Sequence, residues 1–492
     1  MKHHFKLLLT SVLTTICLHT ALAQSDPQLK IVRGKSDTVH TPVHFIIGVA
    51  KPGSQILINE QPVKQYSTGS FGIEMNLIEG DNRVLIKSVY DNKTESEDFS
   101  VFYKKPEPAD RGEIITDFQG LVIKTLKGAY LNYGAGEDRL GGAKINFLPE
   151  GIKMEVIDSI NNLYKVRLSE NRYSYIPKQF TEKMAIGVKP PFSLSGSWSV
   201  SNNGTFDRVR VSLQERQPFV VYRDINPNRI IVDLHGVACN SNWITQYQDL
   251  EAIEYVHLNQ TSSDVLSIII QLKDKYSWGY SVDYAGNSLD IIVRHTPATL
   301  KTRARSPLQG LFFGIDAGHG GANLGAVSPS GIREKDLNLA MAHMLREELE
   351  KRGARVIMSR YEDIEMSMQE RVDLFKNANV DMVVSVHCNA GGHPLRTMGT
   401  STYYRHIDHR ALADVVLRRL LDLDVRNFGL IGNFNFALNA PTDFPSVLVE
   451  TLFMSSLPEE EMLADEKFQK EMMLKVAKGL EDYIKLVRAE VR

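Results

Sequence analysis

The chain has 492 residues, enough for three or four domains at roughly 150 residues each. Its 43% hydrophobic and 24% charged residues are those of an ordinary soluble protein with several cores and a mixed surface. A formal net charge of −2 excludes a global field that would gather nucleic acid or an acidic membrane surface, so a ligand is held by local chemistry.

At the N-terminus, Lys2 and Lys6 precede the apolar run from Leu7 to Leu22, and Ala21-Leu22-Ala23 is a small-x-small cleavage pattern before Gln24. Residues 1–23 therefore read as a secretory signal peptide, and the mature chain is expected in the periplasm or cell envelope. A transmembrane anchor is not expected. The run is interrupted by Thr10, Ser11, Thr14, Thr15 and His19, whereas a spanning helix wants about 20 apolar residues. Cys17 follows the bulky Ile16, where a lipoprotein signal requires a small residue. Cys239 and Cys388 then remain, too few for a disulfide framework in a large exported chain, and both read as buried thiols.

Residues 28–105 carry β-rich runs at Val43 to Val49, Gln55 to Ile58, Phe71 to Asn76 and Asn82 to Ser88. Pro52-Gly53, Thr68-Gly69, Gly80-Asp81-Asn82 and Asp91-Asn92 punctuate them. The pattern resembles the immunoglobulin-like β-sandwiches appended to bacterial surface enzymes. Lys104-Lys105-Pro106-Glu107-Pro108 reads as a linker. Residues 114–180 follow as a second all-β stretch, with strands at Lys153 to Ile157, Tyr164 to Leu168 and Tyr173 to Ile176, and its order resembles a bacterial SH3-like barrel. Residues 192–296 form a third β module. Arg208 to Leu213 alternates strictly, and Arg229 to Leu234, Val265 to Leu272 and Leu289 to Val293 supply further strands. This module resembles the AMIN domain of periplasmic cell-wall enzymes. Thr296 to Arg305 is polar and basic, and reads as a solvated tether.

From Leu311 the period changes. Leu311 to Ile315 is a short apolar strand, and Leu337, Met341, Met344, Leu345 and Leu349 recur at helical spacing from Lys335 to Lys351. Arg355 to Ser359, Met382 to Val386, Gly399 to Tyr404 and Val447 to Val449 are further strands. Helices are expected around Met368 to Phe375, near Ala411 to Leu423 and at the C-terminus. Strands alternating with helices predict a doubly wound α/β domain with a mostly parallel sheet, behind the all-β N-terminal modules.

In such sheets ligands sit beyond the carboxyl ends of the strands. Four stretches place a metal-binding side chain there: Asp316-Ala317-Gly318-His319-Gly320-Gly321, Arg333-Glu334-Lys335-Asp336, Ser385-Val386-His387-Cys388-Asn389 and Val449-Glu450-Thr451. Glu334 opens a helix whose exposed first turn can swing a carboxylate toward that edge. Two histidines and one glutamate can hold Zn²⁺ and leave a fourth position open, the catalytic ligand set. The remaining glutamate is free to handle protons, so the pattern suggests a zinc hydrolase. His393, His406, His409 and His343 read as solvent-facing bystanders.

On these motifs, together with Glu334-Lys335-Asp336-Leu337-Asn338-Leu339 and Leu448-Val449-Glu450-Thr451, residues 310–488 resemble the catalytic domain of the zinc-dependent N-acetylmuramoyl-L-alanine amidases. The resemblance implies metal ligands at His319, Glu334 and His387 and a catalytic glutamate at Glu450. It implies cleavage of the amide between N-acetylmuramic acid and the L-alanine of the stem peptide. Peptidoglycan is then the substrate partner, with envelope proteins as expected partners of the β modules.

The chain departs from the family at Leu438-Asn439-Ala440, where an arginine is usual, and at Thr451-Leu452-Phe453-Met454-Ser455-Ser456, where Thr-Gly-Phe-Leu-Ser-Asn is usual. The stretch between His387 and Glu450 is too short for the inhibitory-helix insertion of division amidases, so a site that does not block itself is expected. The alternatives are a zinc peptidase acting within the stem peptide and an inactive or activator-dependent wall-binding protein.

Overall fold

The computed structural model describes residues 29–36, 38–105, 120–138, 140–302 and 304–490. The signal-peptide reading, Cys17 and the Pro106–Pro108 end of the linker reading lie outside them. The chain divides into two compact units, Met1–Lys105 and Pro106–Arg492.

The first unit holds a three-stranded and a five-stranded sheet. Side chains of both, among them Ile46, Phe71, Val84 and Val101, close over one core. The sequence dictates this: along Gly80–Tyr90 every second residue from Val84 to Ser88 is buried, so one face of the strand is apolar and the other wet.

The second unit begins with a seven-stranded sheet spanning residues 122–183. It includes the hairpin Tyr130–Asp138 and Gly141–Phe147, which was not foreseen from sequence. Two further sheets follow, and the alternation of Phe206–Leu213 fixes which face of that strand is buried. Ile123, Val166, Val209 and Ile268 belong to one continuous core, so residues 122–183 and 193–294 fold against each other.

The last part is a six-stranded sheet of β1 (Phe312–Ala317), β2 (Arg355–Met358), β3 (Met382–Asn389), β4 (Thr400–Tyr403), β5 (Asn427–Ile431) and β6 (Ser446–Phe453), in the order β2-β1-β3-β6-β4-β5. Only the β6–β4 pairing is antiparallel. The helices are α1 (Glu334–Lys351), α2 (Met368–Ala378), α3 (Arg410–Leu420), α4 (Leu457–Leu463) and α5 (Glu466–Glu490). Met382, Val384 and Val386 of β3 pack with side chains of α1, α3 and α5, and Val383 packs with Phe375 of α2. Successive residues of one strand thus serve opposite layers, which is why β3 reads as an unbroken apolar run.

Thr296 to Arg305 is not a solvated tether. Leu300 is 4% exposed and packs into the same core as Trp278, Leu308 and α5, while Thr296 Oγ1 donates to Asp274 at 2.8 Å. Leu300, the large apolar side chain of this basic run, decides its fate, because burying it outweighs solvating its neighbours. Tyr276 meets Tyr483 of α5 edge to face at 5.8 Å, and Tyr280 exchanges hydrogen bonds with Thr442 at 2.7 Å. Residues 193–294 are thereby seamed to the α/β layer. Among the described residues no helix is long and apolar enough to cross a membrane.

Candidate active site and metal centre

His319, Glu334 and His387 come together although they are far apart in sequence. One donor atom from each lies within 4.8 Å of the others. His319 sits just past β1 in the left-handed conformation, at φ 62°, which aims its ring back over the sheet edge. Its Nδ1 is 2.9 Å from Asn323 Oδ1, and its Nε2 is 3.1 Å from Glu334 Oε2. His387 Nδ1 lies 3.0 Å from Glu334 Oε1.

Glu334 is the first residue of α1, where the helix dipole favours a carboxylate. It is 4% exposed, so the swinging side chain expected from sequence is in fact a clamped one. Asn338 Nδ2 and the Cys388 amide donate to Oε1 at 3.1 and 3.2 Å, and the Ala326 amide donates to Oε2 at 2.8 Å. Burial alone would raise its pKa, but the hydrogen bonds to His319 and His387 outweigh burial and hold it well below the ordinary carboxylate range. It is an anion at any physiological pH.

Backbone closeness is essential at two glycines. A Cβ on Gly318 would fall 2.2 Å from His387 Cε1. One on Gly325, which has φ +67°, would fall 2.6 Å from both Glu334 Oε2 and His319 Cδ2.

His387 and Glu450 differ in position from the sequence reading. Both lie inside their strands, because β3 runs on to Asn389 and β6 to Phe453. Register pairs His387 directly with Glu450, and Glu450 with Ser401 on the other side. Ladder hydrogen bonds continue past the polar residues because both neighbouring strands do. Burial lowers the His387 pKa, but Glu334, Glu450 and Asp316 together raise it above the ordinary value, which places the Glu450 carboxylate in the field of the site.

Several residues that support the site were not read from sequence. Asp316, wholly buried, accepts from Arg371 Nη1 and from Ser385 Oγ, both at 2.6 Å. Arg371 Nη1 and Nη2 also donate to the Ala317 and His319 carbonyls at 2.8 and 2.6 Å. Arg360 Nε and Nη2 donate to the Ala317 and Gly318 carbonyls at 3.0 and 2.9 Å. Two buried guanidiniums therefore fix the loop that presents His319. Asn338 could have been found from its i+4 spacing to Glu334, and Arg371 from its place among the apolar residues of α2. Phe436, whose ring meets His387 at 5.7 Å, carried no sequence signal.

Cys388 points away from the metal candidates, its Sγ 3.2 Å from Thr451 Oγ1, and burial pushes its pKa well up, so it is a protonated core thiol. Cys239 is half-buried, not buried. His409 is 3% exposed and His406 is half-buried with its Nε2 2.9 Å from the Ala440 carbonyl, so neither is a solvent-facing bystander.

The donor set suits a zinc ion. Two imidazoles and a carboxylate are a catalytic zinc triad, and His387 turns its Nδ1 toward Glu334 in that cluster.

The family model described as N-acetylmuramoyl-L-alanine amidase matches residues 314–482. An uncharacterized protein of Bacillus subtilis, YqiI, is 30% identical over 186 residues, covering 37% of this chain and 88% of that relative. The chain belongs to the N-acetylmuramoyl-L-alanine amidase family. Its activity is that of a peptidoglycan amidase. The amidase is also similar to AmiC of Neisseria meningitidis serogroup B, at 24% identity over 378 residues, covering 60% of this chain and 90% of that one. That alignment extends well beyond the catalytic stretch. A solved structure, AmiC2 of Nostoc punctiforme, is 30% identical with a TM-score of 0.34, covering 36% of this amidase and 99% of that chain.

Proposed function

We propose that this amidase cleaves the bond between N-acetylmuramic acid and the L-alanine of the stem peptide, with His319, Glu334 and His387 holding Zn²⁺ and Glu450 transferring protons. The observation that supports it most is the convergence of the three donors beside a glutamate paired with His387 across two strands. When bound there, zinc would polarise the scissile carbonyl and lower the pKa of a water to about 7.

The chain's own residues do the rest. Glu450 accepts a proton from the attacking water and delivers one to the leaving amine nitrogen, which a carboxylate can do when burial and neighbouring charge tune it. Glu334 stays anionic and keeps both imidazoles oriented. Asn338 and the Cys388 and Ala326 amides keep Glu334 in place, as outer partners do around metal ligands. Asp316, Arg371 and Arg360 hold the His319 loop rigid, which catalysis by positioning requires.

The domain reading completes the proposal. Residues 28–105 serve as an immunoglobulin-like module, 114–180 as an SH3-like module and 192–296 as an AMIN-like module, which together keep the exported enzyme at the cell envelope where its substrate lies.

The test is muropeptide release from purified sacculi by the full chain, beside a Glu450→Ala variant of verified zinc content. Free intact stem peptides and peptide-free glycan from the wild type alone support the proposal. Fragments cut within the peptide would identify a peptidase, and equal release by the variant would remove Glu450 from the chemistry.

A further inference from the structure

The loop between β5 and β6 sends two aromatic rings into the catalytic layer. Phe436 meets His387 at 5.7 Å, and Phe434 meets Tyr403 of β4 at 4.5 Å. The Tyr403 hydroxyl accepts from Asn389 Nδ2 at 3.1 Å, and Asn389 closes β3 just beyond His387. The two phenylalanine rings also stack on each other at 6.0 Å. One loop therefore bears on the end of β3 at two places, and one of them is a metal-ligand candidate.

The loop's own backbone is a weak support for that task. Gly432 and Asn433 are exposed, and Asn433 is in the left-handed conformation, at φ 55°. An exposed segment of this kind keeps a single conformation only where something outside it holds it, since the entropy of ordering it must be offset.

Asn435 is the tie. It lies between the two rings and spends its side chain elsewhere: Nδ2 donates to the Gly142 carbonyl at 2.7 Å, and Oδ1 accepts from Arg405 Nη1 at 2.9 Å. Arg405, 8% exposed, donates through Nη2 to the Lys144 carbonyl at 3.0 Å. Gly142 and Lys144 belong to Gly141–Phe147, the edge strand of the seven-stranded sheet. Contacts thus run from that hairpin through Asn435 to Phe436, and from Phe436 to His387.

We propose that Asn435 is a positioning residue for the amidase reaction, through which the hairpin Tyr130–Phe147 fixes Phe436 and hence the His387 ring. The hairpin is then a working part of the metal centre as well as part of a separate sheet. The proposal rests on the metal-centre reading and adds to it a support that lies outside the catalytic layer.

The test is a double-mutant cycle of Asn435→Ala and Phe436→Ala in the full chain, read by steady-state kinetics on a muramoyl peptide and by zinc affinity from chelator competition. Asn435→Ala alone is expected to lower kcat about tenfold with KM nearly unchanged, because it disturbs geometry and not substrate binding. Zinc affinity is expected to fall about tenfold, the low end of the loss seen when a metal ligand's outer support is removed. In the Phe436→Ala background the same change is expected to cost less than about twofold in either quantity, since residues acting through one contact are not additive. Arg405→Lys keeps the charge but loses the fork that serves Asn435 and the hairpin together, so it should repeat the pattern and decide the matter if Asn435→Ala impairs folding. Equal losses in both backgrounds would make Asn435 a merely structural tie and overturn the proposal. A raised KM with unchanged kcat would overturn it as well, by making Asn435 a substrate contact. A wild type that binds zinc but cleaves no muramoyl peptide would instead overturn the amidase reading, and the zinc-affinity cycle would still decide the role of Asn435.

Discussion

Phe436 meets His387 edge to face, with ring centroids 5.7 Å apart and an interplanar angle of 87°. A metal-ligand candidate is thus packed on one side by an aromatic ring from the loop between β5 and β6. Such a pair is worth about 0.5–1.5 kcal/mol beyond its buried area, and it shields the imidazole from water.

Replacing that ring by a methyl group, Phe436→Ala, is expected to leave the chain folded and lower kcat/KM by roughly ten- to a hundredfold, a loss of about 1.4–2.8 kcal/mol of transition-state stabilisation. Steady-state kinetics on a muramoyl peptide, with zinc content checked, measures it. Unchanged kinetics would show the ring to be mere packing.

Asn338 touches no metal position, yet its Nδ2 donates to Glu334 Oε1 at 3.1 Å. Asn338→Ala is expected to weaken zinc affinity about 10–100-fold, the usual cost of losing an outer partner. Competition with a chromophoric chelator reads this directly. Complete removal of zinc by a strong chelator is expected to abolish turnover, and stoichiometric zinc to restore it.

The Asp316–Arg371 pair is 2.6 Å apart, with both side chains 1% exposed or less. Removing one partner strands a buried charge, so Asp316→Ala is expected to destabilise the unit by about 3–5 kcal/mol, measured by urea unfolding. Burial favours the neutral form of this carboxyl, but Arg371, His387 and Ser385 hold its pKa below the ordinary value.

His235 and His406 make stability fall in mild acid. Burial, then Arg172, pushes the His235 pKa down from 6.5 to about 4, and burial, then His409, does the same to His406. Both are neutral in the folded chain where the unfolded chain already binds protons. Their contribution is complete above pH 6.5 and is lost as pH falls toward 4, by at most roughly 3 kcal/mol each. Unfolding titrations at pH 7.5, 5.5 and 4.5 should show this decline, and His235→Leu should flatten it. A curve indifferent to His235→Leu would refute its part.

What could be read from sequence followed the strength of periodic burial. Helix α1 was legible because Leu337, Met341, Leu345 and Leu349 fall on one buried stripe. The metal-ligand candidates were legible because each interrupts or closes an apolar run. The same logic failed at strand ends, since His387 and Glu450 looked like terminators while the ladder pairs them within β3 and β6. The hairpin Tyr130–Phe147 was illegible because Gly134, Gly136, Gly141 and Gly142 break its alternation and its register shifts twice. Strand β5 was missed for a similar reason, being an exposed edge with Gly429 at its centre. Arg405, Asn435 and Phe436 act only through neighbours distant in sequence, which no local pattern encodes.

The seam through Trp278, Leu300 and the Tyr276–Tyr483 contact has a consequence for how such enzymes are cut and inherited. A fragment beginning at residue 310 would contain the whole stretch that the family model matches, yet its flank would be bare where Trp278 and Tyr276 now sit. Such a fragment should be sticky at high concentration, whereas one beginning before residue 120 should not. The smallest transplantable cassette is therefore longer than the chemistry requires. Substitutions at Trp278 and Tyr276 are then constrained together with those on α5, as though the β module and the α/β layer shared a single lineage.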